Sequence, residues 1–238
     1  MPLISISARE ANERVRGVRS SWPKRPEMQR LHLSPIAEPG FRPSFKISPA
    51  DQVFTMGSCF ARNIENQMIA EGCQVAVTRF DVPPDRMDCK HSERLLNRFV
   101  PQTMLNELRW ALDPSARFPE AALVELTPDH WIDPHAGGGI GPSSLERVQY
   151  RREAVRAYTA LAGQSDVVVL TLGLAEAWFD AKTGHYMNLA PFRSAREAEP
   201  ERYQFHVLDY NDILGCLEEM HALLARFGRP GFRMLVTV

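Results

Sequence analysis

Two short strings in this 238-residue chain bring together residue types able to do covalent chemistry. Gly57-Ser58-Cys59 sets a hydroxyl beside a thiol behind a glycine, and Gly173-Leu174-Ala175-Glu176 sets a carboxylate three residues past another glycine. A nucleophile in a turn that opens a helix faces unpaired backbone N–H groups and the positive end of the helix dipole. That setting can lower a thiol pKa and stabilise the oxyanion of a tetrahedral intermediate. The chemistry implied is nucleophilic acyl transfer, with Cys59 or Ser58 attacking. The same residues also read as plain architecture, Gly57 permitting a tight turn, Ser58 capping the helix and Cys59 packing.

Acyl transfer also needs a base, usually a histidine oriented by a carboxylate. The chain's one Asp-x-x-His is Asp88-Cys89-Lys90-His91, close behind the nucleophile turn. His206, in Tyr203-Gln204-Phe205-His206, and His185 are further polar pocket candidates, and both also read as structural. Asp129, His130, Asp133 and His135 cluster as D-H-W-I-D-P-H, with no helix or hairpin expected there to fix a ligand geometry, so no metal site is assigned. No phosphate-binding glycine motif follows any strand, and no cofactor is expected.

The elements that must position these residues follow from periodicity. Val53-Phe54-Thr55-Met56 reads as a buried strand ending at Gly57. A helix follows at once, its apolar stripe running through Phe60, Ile64, Met68 and Ile69, with Gly72 as the stop. Cys73–Val77 alternates like a second strand, so 52–77 forms a β-α-β unit with parallel strands. Two short helices follow around Leu95–Phe99 and Met104–Leu112, and 118–142 reads as loop. Ser143 and Glu146 form a capping box for a helix that stops at Gly163. Asp166–Leu172 is almost continuously apolar and β-branched, as a strand covered on both faces of a parallel sheet requires. Asp209 caps a last helix that Gly228 closes, and Met234–Val238 is another buried strand. Alternating strands and helices specify an α/β, doubly wound architecture, whose ligands bind outside the carboxyl ends of the strands. Gly57 and Gly173 stand at two such exits.

Composition sets bounds on the rest. With 28 Lys plus Arg, 29 Asp plus Glu and a net charge of −1, the chain has no basic excess to draw it to nucleic acid or anionic lipid. Residues 1–50 differ: they hold seven prolines and nine Lys/Arg against four Asp/Glu. They read as an irregular proline-rich arm, leaving 51–238 as the α/β domain. The four cysteines form no C-x-x-C pair, and neither a signal peptide nor a run of about 18 apolar residues is present. The expectation is a soluble, cytoplasmic chain.

Met56-Gly57-Ser58-Cys59-Phe60-Ala61-Arg62-Asn63-Ile64 resembles the signature of the GSCFA family, a prokaryotic group named for this motif. Thr171-Leu172-Gly173-Leu174-Ala175-Glu176-Ala177-Trp178 is similar to that family's glycine-to-tryptophan strand exit, and PGFRMLVTV to its next strand, so the resemblance spans 50–238. The family belongs with the SGNH, or GDSL-like, hydrolases and is similar to polysaccharide O-acetyl-modifying enzymes. The resemblance implies a flavodoxin-like, doubly wound, mainly parallel sheet sandwiched by helices. It implies an ester hydrolase or O-acyltransferase for a small-molecule or glycan ester such as an acylated bacterial polysaccharide, or else a catalytically inactive glycan- or ligand-binding module of the same fold.

Set beside the Gly-Asp-Ser-Leu block of the related esterases, this chain has Cys59 at the serine position and Ser58 at the aspartate position. A turn shifted by one residue would make Ser58 the nucleophile. The esterases' Gly-x-Asn-Asp block falls on Gly173–Glu176, with alanine replacing the oxyanion-donating asparagine. Glu176 then becomes a polar pocket partner or a solvated carboxylate at the strand exit, Trp178 a pocket wall or core contact, and Asn97 a candidate oxyanion donor or a helix-end residue. Chains of this family continue past the strand at Leu235–Val238 and carry the expected histidine there, so the resemblance implies a domain truncated at its C-terminus.

Overall fold

The computed structural model describes residues 43–83, 86 and 92–237. Most of the arm expected over 1–50, and the Asp88–His91 string, lie outside the described residues. The chain divides into two compact units, 1–46 and 47–238, and every element below belongs to the second.

Strand β5 (Val167–Thr171) is buried at all five positions, as its nearly continuous apolar, β-branched run requires. It pairs in parallel with β1 (Gln52–Met56) on one side and β9 (Arg233–Thr237) on the other, and β1 pairs in parallel with β2 (Gln74–Val75). The resulting order, β2-β1-β5-β9, makes this an α/β, doubly wound sheet. From β1 the chain moves outward to β2, then returns to lay β5 on the opposite side. The order therefore reverses between β1 and β5, which is where such sheets open a crevice.

One face of the sheet presents Phe54, Met56, Val168 and Leu170 to three helices. Helix α2 (Pro101–Leu112) contributes Met104, Leu105 and Leu108, α3 (Leu145–Thr159) contributes Val155 and Tyr158, and α4 (Tyr210–Phe227) contributes Met220, Leu223 and Leu224. Each such side chain adds about 1.5–3 kcal/mol when fully buried. The other face, Val53, Thr55, Val167 and Val169, is also buried, and α1 (Cys59–Ala70) lies on it. Gly72, at φ +81°, ends that helix as expected.

Helix α1 does not lay its apolar stripe on the sheet. Its buried residues are Ala61 and Glu65, while Phe60 is 70% and Ile69 41% exposed. Ala61 and Glu65 stand one residue, about 100° of rotation, from Phe60 and Ile64. The cause is a polar contact beneath the helix: the Thr55 hydroxyl donates to the Glu65 carboxylate, which also pairs with Arg62 at 2.8 Å. Burial pushes the Glu65 pKa up, against the pull of Arg62 and Thr55.

Other expectations are corrected nearby. The second strand is only β2, after which 76–79 turn as a 3-10 helix. The capping box at Ser143 does not form. Ser144 is the N-cap of α3, without a side-chain bond, because Ser143 exchanges two backbone hydrogen bonds with Trp131 (2.7 and 2.9 Å) and is held in that bridge. The 118–142 stretch contains a hairpin of β3 (Val124–Thr127) and β4 (His130–Ile132). Past β5, an antiparallel sheet forms in the order β7-β6-β8, from β6 (Glu176–Asp180), β7 (His185–Met187) and β8 (Tyr203–Val207). A buried pair, Arg202 and Asp180 at 2.7 Å, holds this second sheet.

Candidate active site

Strand β1 ends at Met56 and α1 begins at Cys59, so Gly57 and Ser58 form the turn between them. Ser58 is the N-cap, in extended conformation, its hydroxyl accepting from the Phe60 amide at 3.4 Å. The Cys59 thiol is free and exposed. As the first residue of the helix, Cys59 has an amide with no intrahelical acceptor. Gly57 is a steric requirement, because a Cβ there would lie 1.8 Å from Thr171 Oγ1 and 2.9 Å from the Thr171 carbonyl oxygen.

Thr171 ends β5 and is 4% exposed, and its hydroxyl has no hydrogen-bond partner among the described residues. Beyond it, the Leu172 amide donates to Thr237 and the Leu174 amide to Phe99, while the Gly173 amide donates to no backbone carbonyl among the described residues. Two adjacent strand exits, carrying two amides without a backbone acceptor among the described residues and the buried Thr171 hydroxyl, thus meet at one space. That space is a cavity of about 640 Å³ with Ser58, Cys59, Thr171 and Gly173 on its wall. Its apolar lining comes from Phe60, Ile64, Phe99, Leu172 and Leu174.

A strap, Asn97-Arg98-Phe99, is bonded to both exits. The Arg98 amide donates to the Gly57 carbonyl at 2.8 Å, and the Phe99 carbonyl accepts from Leu174 at 3.0 Å. Asn188, buried at the end of β7, fastens the strap. Its Oδ1 accepts from the Phe99 amide, and its Nδ2 donates to the carbonyls of Asn97 and Ala136, each at 2.9 Å. The buried Arg98 guanidinium donates to the carbonyls of Leu95 (2.8 Å) and Asn97 (2.7 Å) and pairs with Glu107 at 2.9 Å. Glu107 also accepts from Arg152, which reaches Asp133 at 3.2 Å. Burial raises the Glu107 pKa, but the Arg152 and Arg98 guanidiniums outweigh it and hold the carboxyl below the usual range.

The structure therefore brings Ser58, Cys59 and Gly173 to one cavity, while Gly57, in the turn beside it, and Asn97, in the strap, are not among its lining residues. The Asn97 Oδ1 is buried and has no partner among the described residues. Glu176, Trp178 and His206 are not among the cavity-lining residues. Exposed Glu176 opens β6 opposite Val207. Trp178 packs edge-on against Phe205 at 5.2 Å, with the Arg196 guanidinium over its ring. His206 stacks on Phe179, its Nδ1 within 3.0 Å of the Tyr186 hydroxyl. His185 bonds the Thr183 carbonyl through Nδ1 at 2.6 Å.

The D-H-W-I-D-P-H residues diverge: His130 is exposed on β4, Asp133 is engaged by Arg152, and His135 is buried against Trp110 and Phe118. Among the described residues, no group of three or more His, Cys, Asp or Glu is placed to hold a metal ion. Among them too, no helix is long and apolar enough to cross a membrane.

Sequence reasoning missed Thr171 and the Arg98–Glu107–Arg152–Asp133 network. A lone threonine ending an otherwise apolar strand next to Gly173 was the available signal for the first. For the network there was little, because its members come from four separate segments. A model of the GSCFA family matches residues 52–238. No curated protein and no solved structure matches the chain.

Proposed function

The chain belongs to the GSCFA family, and from that premise we propose that it is an ester hydrolase or O-acyltransferase whose nucleophile is Cys59. The observation that carries this reading is the exposed Cys59 thiol on the wall of the cavity, at the point where the strand order reverses. Ser58 commits a lone pair to the helix cap, which favours the neighbouring thiol as the attacking group.

In the proposed reaction the Cys59 thiolate attacks the acyl carbonyl carbon, forming a C–S bond as the carbonyl π electrons move to oxygen. The amide N–H groups of Cys59 and Gly173 face the developing oxyanion. Collapse breaks the ester C–O bond and releases the alcohol, which takes a proton from water. Water, or an acceptor hydroxyl, then cleaves the thioester and restores the thiol. The likeness of the family to polysaccharide O-acetyl-modifying enzymes suggests an acylated glycan as the alcohol half.

The test is turnover of p-nitrophenyl acetate by the full chain, with Cys59→Ala and Ser58→Ala as variants. Loss of turnover in Cys59→Ala, with Ser58→Ala retaining it, supports the reading, whereas loss only in Ser58→Ala moves the nucleophile by one residue. Iodoacetamide should alkylate Cys59 well before Cys216, whose thiol is buried and pushed up to about 11. One observation favours the rival, a catalytically silent binding module: among the described residues the cavity wall carries no histidine, aspartate or glutamate. No turnover with any ester, and no preferential alkylation of Cys59, would decide for that rival.

A further inference from the structure

The walls of the cavity have a chemistry that an acetyl group would not use. Phe60, Ile64, Phe99, Leu172 and Leu174 line it, and Phe60 and Leu174 remain 70% and 50% exposed. Large apolar side chains left open together mark a surface that meets an apolar partner. Phe60 and Ile64 are the residues that the rotation of α1 turned away from the sheet, so they line the cavity rather than the core.

Two polar features fix the orientation of whatever enters. The Cys59 thiol stands at one wall, and the Thr171 hydroxyl, buried and without a partner among the described residues, is packed against Gly57 in the turn beside it. A buried hydroxyl without a partner is destabilising unless a bound group satisfies it. A ligand that matches both features has an acyl carbonyl at one end, to accept from Thr171, and an apolar tail at the other. The volume of about 640 Å³ lies within the range of ordinary ligand pockets, about 300–1,000 Å³. Ten carbons at about 30 Å³ each, the share of one water molecule in the liquid, would fill roughly half and leave room for the alcohol.

We propose that the site takes a linear medium-chain acyl group, octanoyl to decanoyl, with the tail along Phe60, Ile64, Phe99 and Leu174 and the carbonyl oxygen accepting from the Thr171 hydroxyl. This rests on the assignment of Cys59 as nucleophile only for turnover, since binding of the chain requires no reaction.

Two measurements on the full chain test it. The first is kcat/KM on p-nitrophenyl esters from acetyl to decanoyl, which should rise by about two- to fourfold per added methylene, the gain expected from burying each one. Phe60→Ser with Leu174→Ser should lower the octanoyl-to-acetyl ratio at least tenfold. Val207→Ser, at an exposed position on β8 away from the cavity, should leave the ratio unchanged. The second is protection of Cys59 from iodoacetamide by sodium decanoate compared with sodium acetate, read by mass spectrometry; decanoate should protect, and Thr171→Val should weaken the protection severalfold. Protection by decanoate without hydrolysis of any ester supports the acyl pocket while removing the enzyme reading. Hydrolysis that is flat or falling with chain length, together with no protection by decanoate, overturns the pocket while leaving the enzyme reading in place.

Discussion

Glu107→Gln keeps the shape of a buried side chain and removes its charge. In the native structure the Glu107 carboxylate is 1% exposed and is shared by Arg98 and Arg152, themselves buried. The substitution leaves Arg152 with Asp133 as its acidic partner, and leaves Arg98 with the carbonyls of Leu95 and Asn97. Removing one member of a buried ion pair costs about 3–5 kcal/mol, because the remaining charge stays desolvated. A domain of this size changes its melting temperature by about 2–4 °C per kcal/mol, so the variant should melt about 6–20 °C lower. Urea unfolding at pH 7 gives the free energy directly, with Glu219→Gln as the control, since Glu219 pairs with Arg109 at the surface and should contribute under about 1 kcal/mol. The same substitution should change the rate of Cys59 alkylation, because Arg98 donates its amide to the Gly57 carbonyl. A loss under about 1 kcal/mol, no greater than in the control, would refute the reading of this network as a buried ion-pair cluster whose charges depend on Glu107.

Two further perturbations follow from the geometry. His135 is fully buried, neither ring nitrogen has a partner among the described residues, and burial holds its pKa down to about 4 despite Asp133 and Glu107. A histidine held neutral in the folded chain but free to protonate once unfolded contributes nothing to pH dependence above its unfolded value of about 6.5, and costs stability progressively as pH falls from there to about 4. His135→Phe should therefore flatten the urea midpoint between those pH values, and an unaltered profile would contradict the assignment. Gly57→Ala places a methyl group 1.8 Å from Thr171 Oγ1 and 2.9 Å from its carbonyl oxygen. The expected loss is about 1–3 kcal/mol or more, and Thr171→Ala in the same chain should recover only part, since the backbone contact remains. A Gly57→Ala chain that unfolds within about 0.5 kcal/mol of the parent would count against the close packing of the two strand exits.

The parallel sheet was legible because its signals are local. The Val167–Thr171 run is apolar in four of its five residues and β-branched in all but Leu170, and glycines mark both exits next to it. Cys59, Ser58 and Gly173 meet because neighbouring parallel strands end side by side, a consequence of topology that the order of elements already implies. The orientation of α1 was misread because hydrophobicity alone cannot report that Glu65 would be drawn under the helix by Thr55 and Arg62. Glu176, Trp178 and His206 were placed in the pocket because they lie near a strand exit or the last helix in sequence. The chain instead turns away at Glu176 into strands of three and five residues, too short and too evenly mixed for periodicity to reveal. Arg98, Glu107, Asp133 and Arg152 each read as a solvated charge, since nothing in the neighbouring residues announces a partner far along the chain.

The strap at 97–99 has a consequence for inheritance of function. Asn188 ties the second sheet to the peptide that bonds Gly57, so a substitution on β7 can move the nucleophile turn although no β7 residue lines the cavity. Variation in that sheet would act as a tuning screw on the thiol: related chains could keep every cavity residue and still differ in reactivity. Changes near Asn188, at a distance from any bound molecule, are therefore the first place to look when two such chains with identical cavities behave differently.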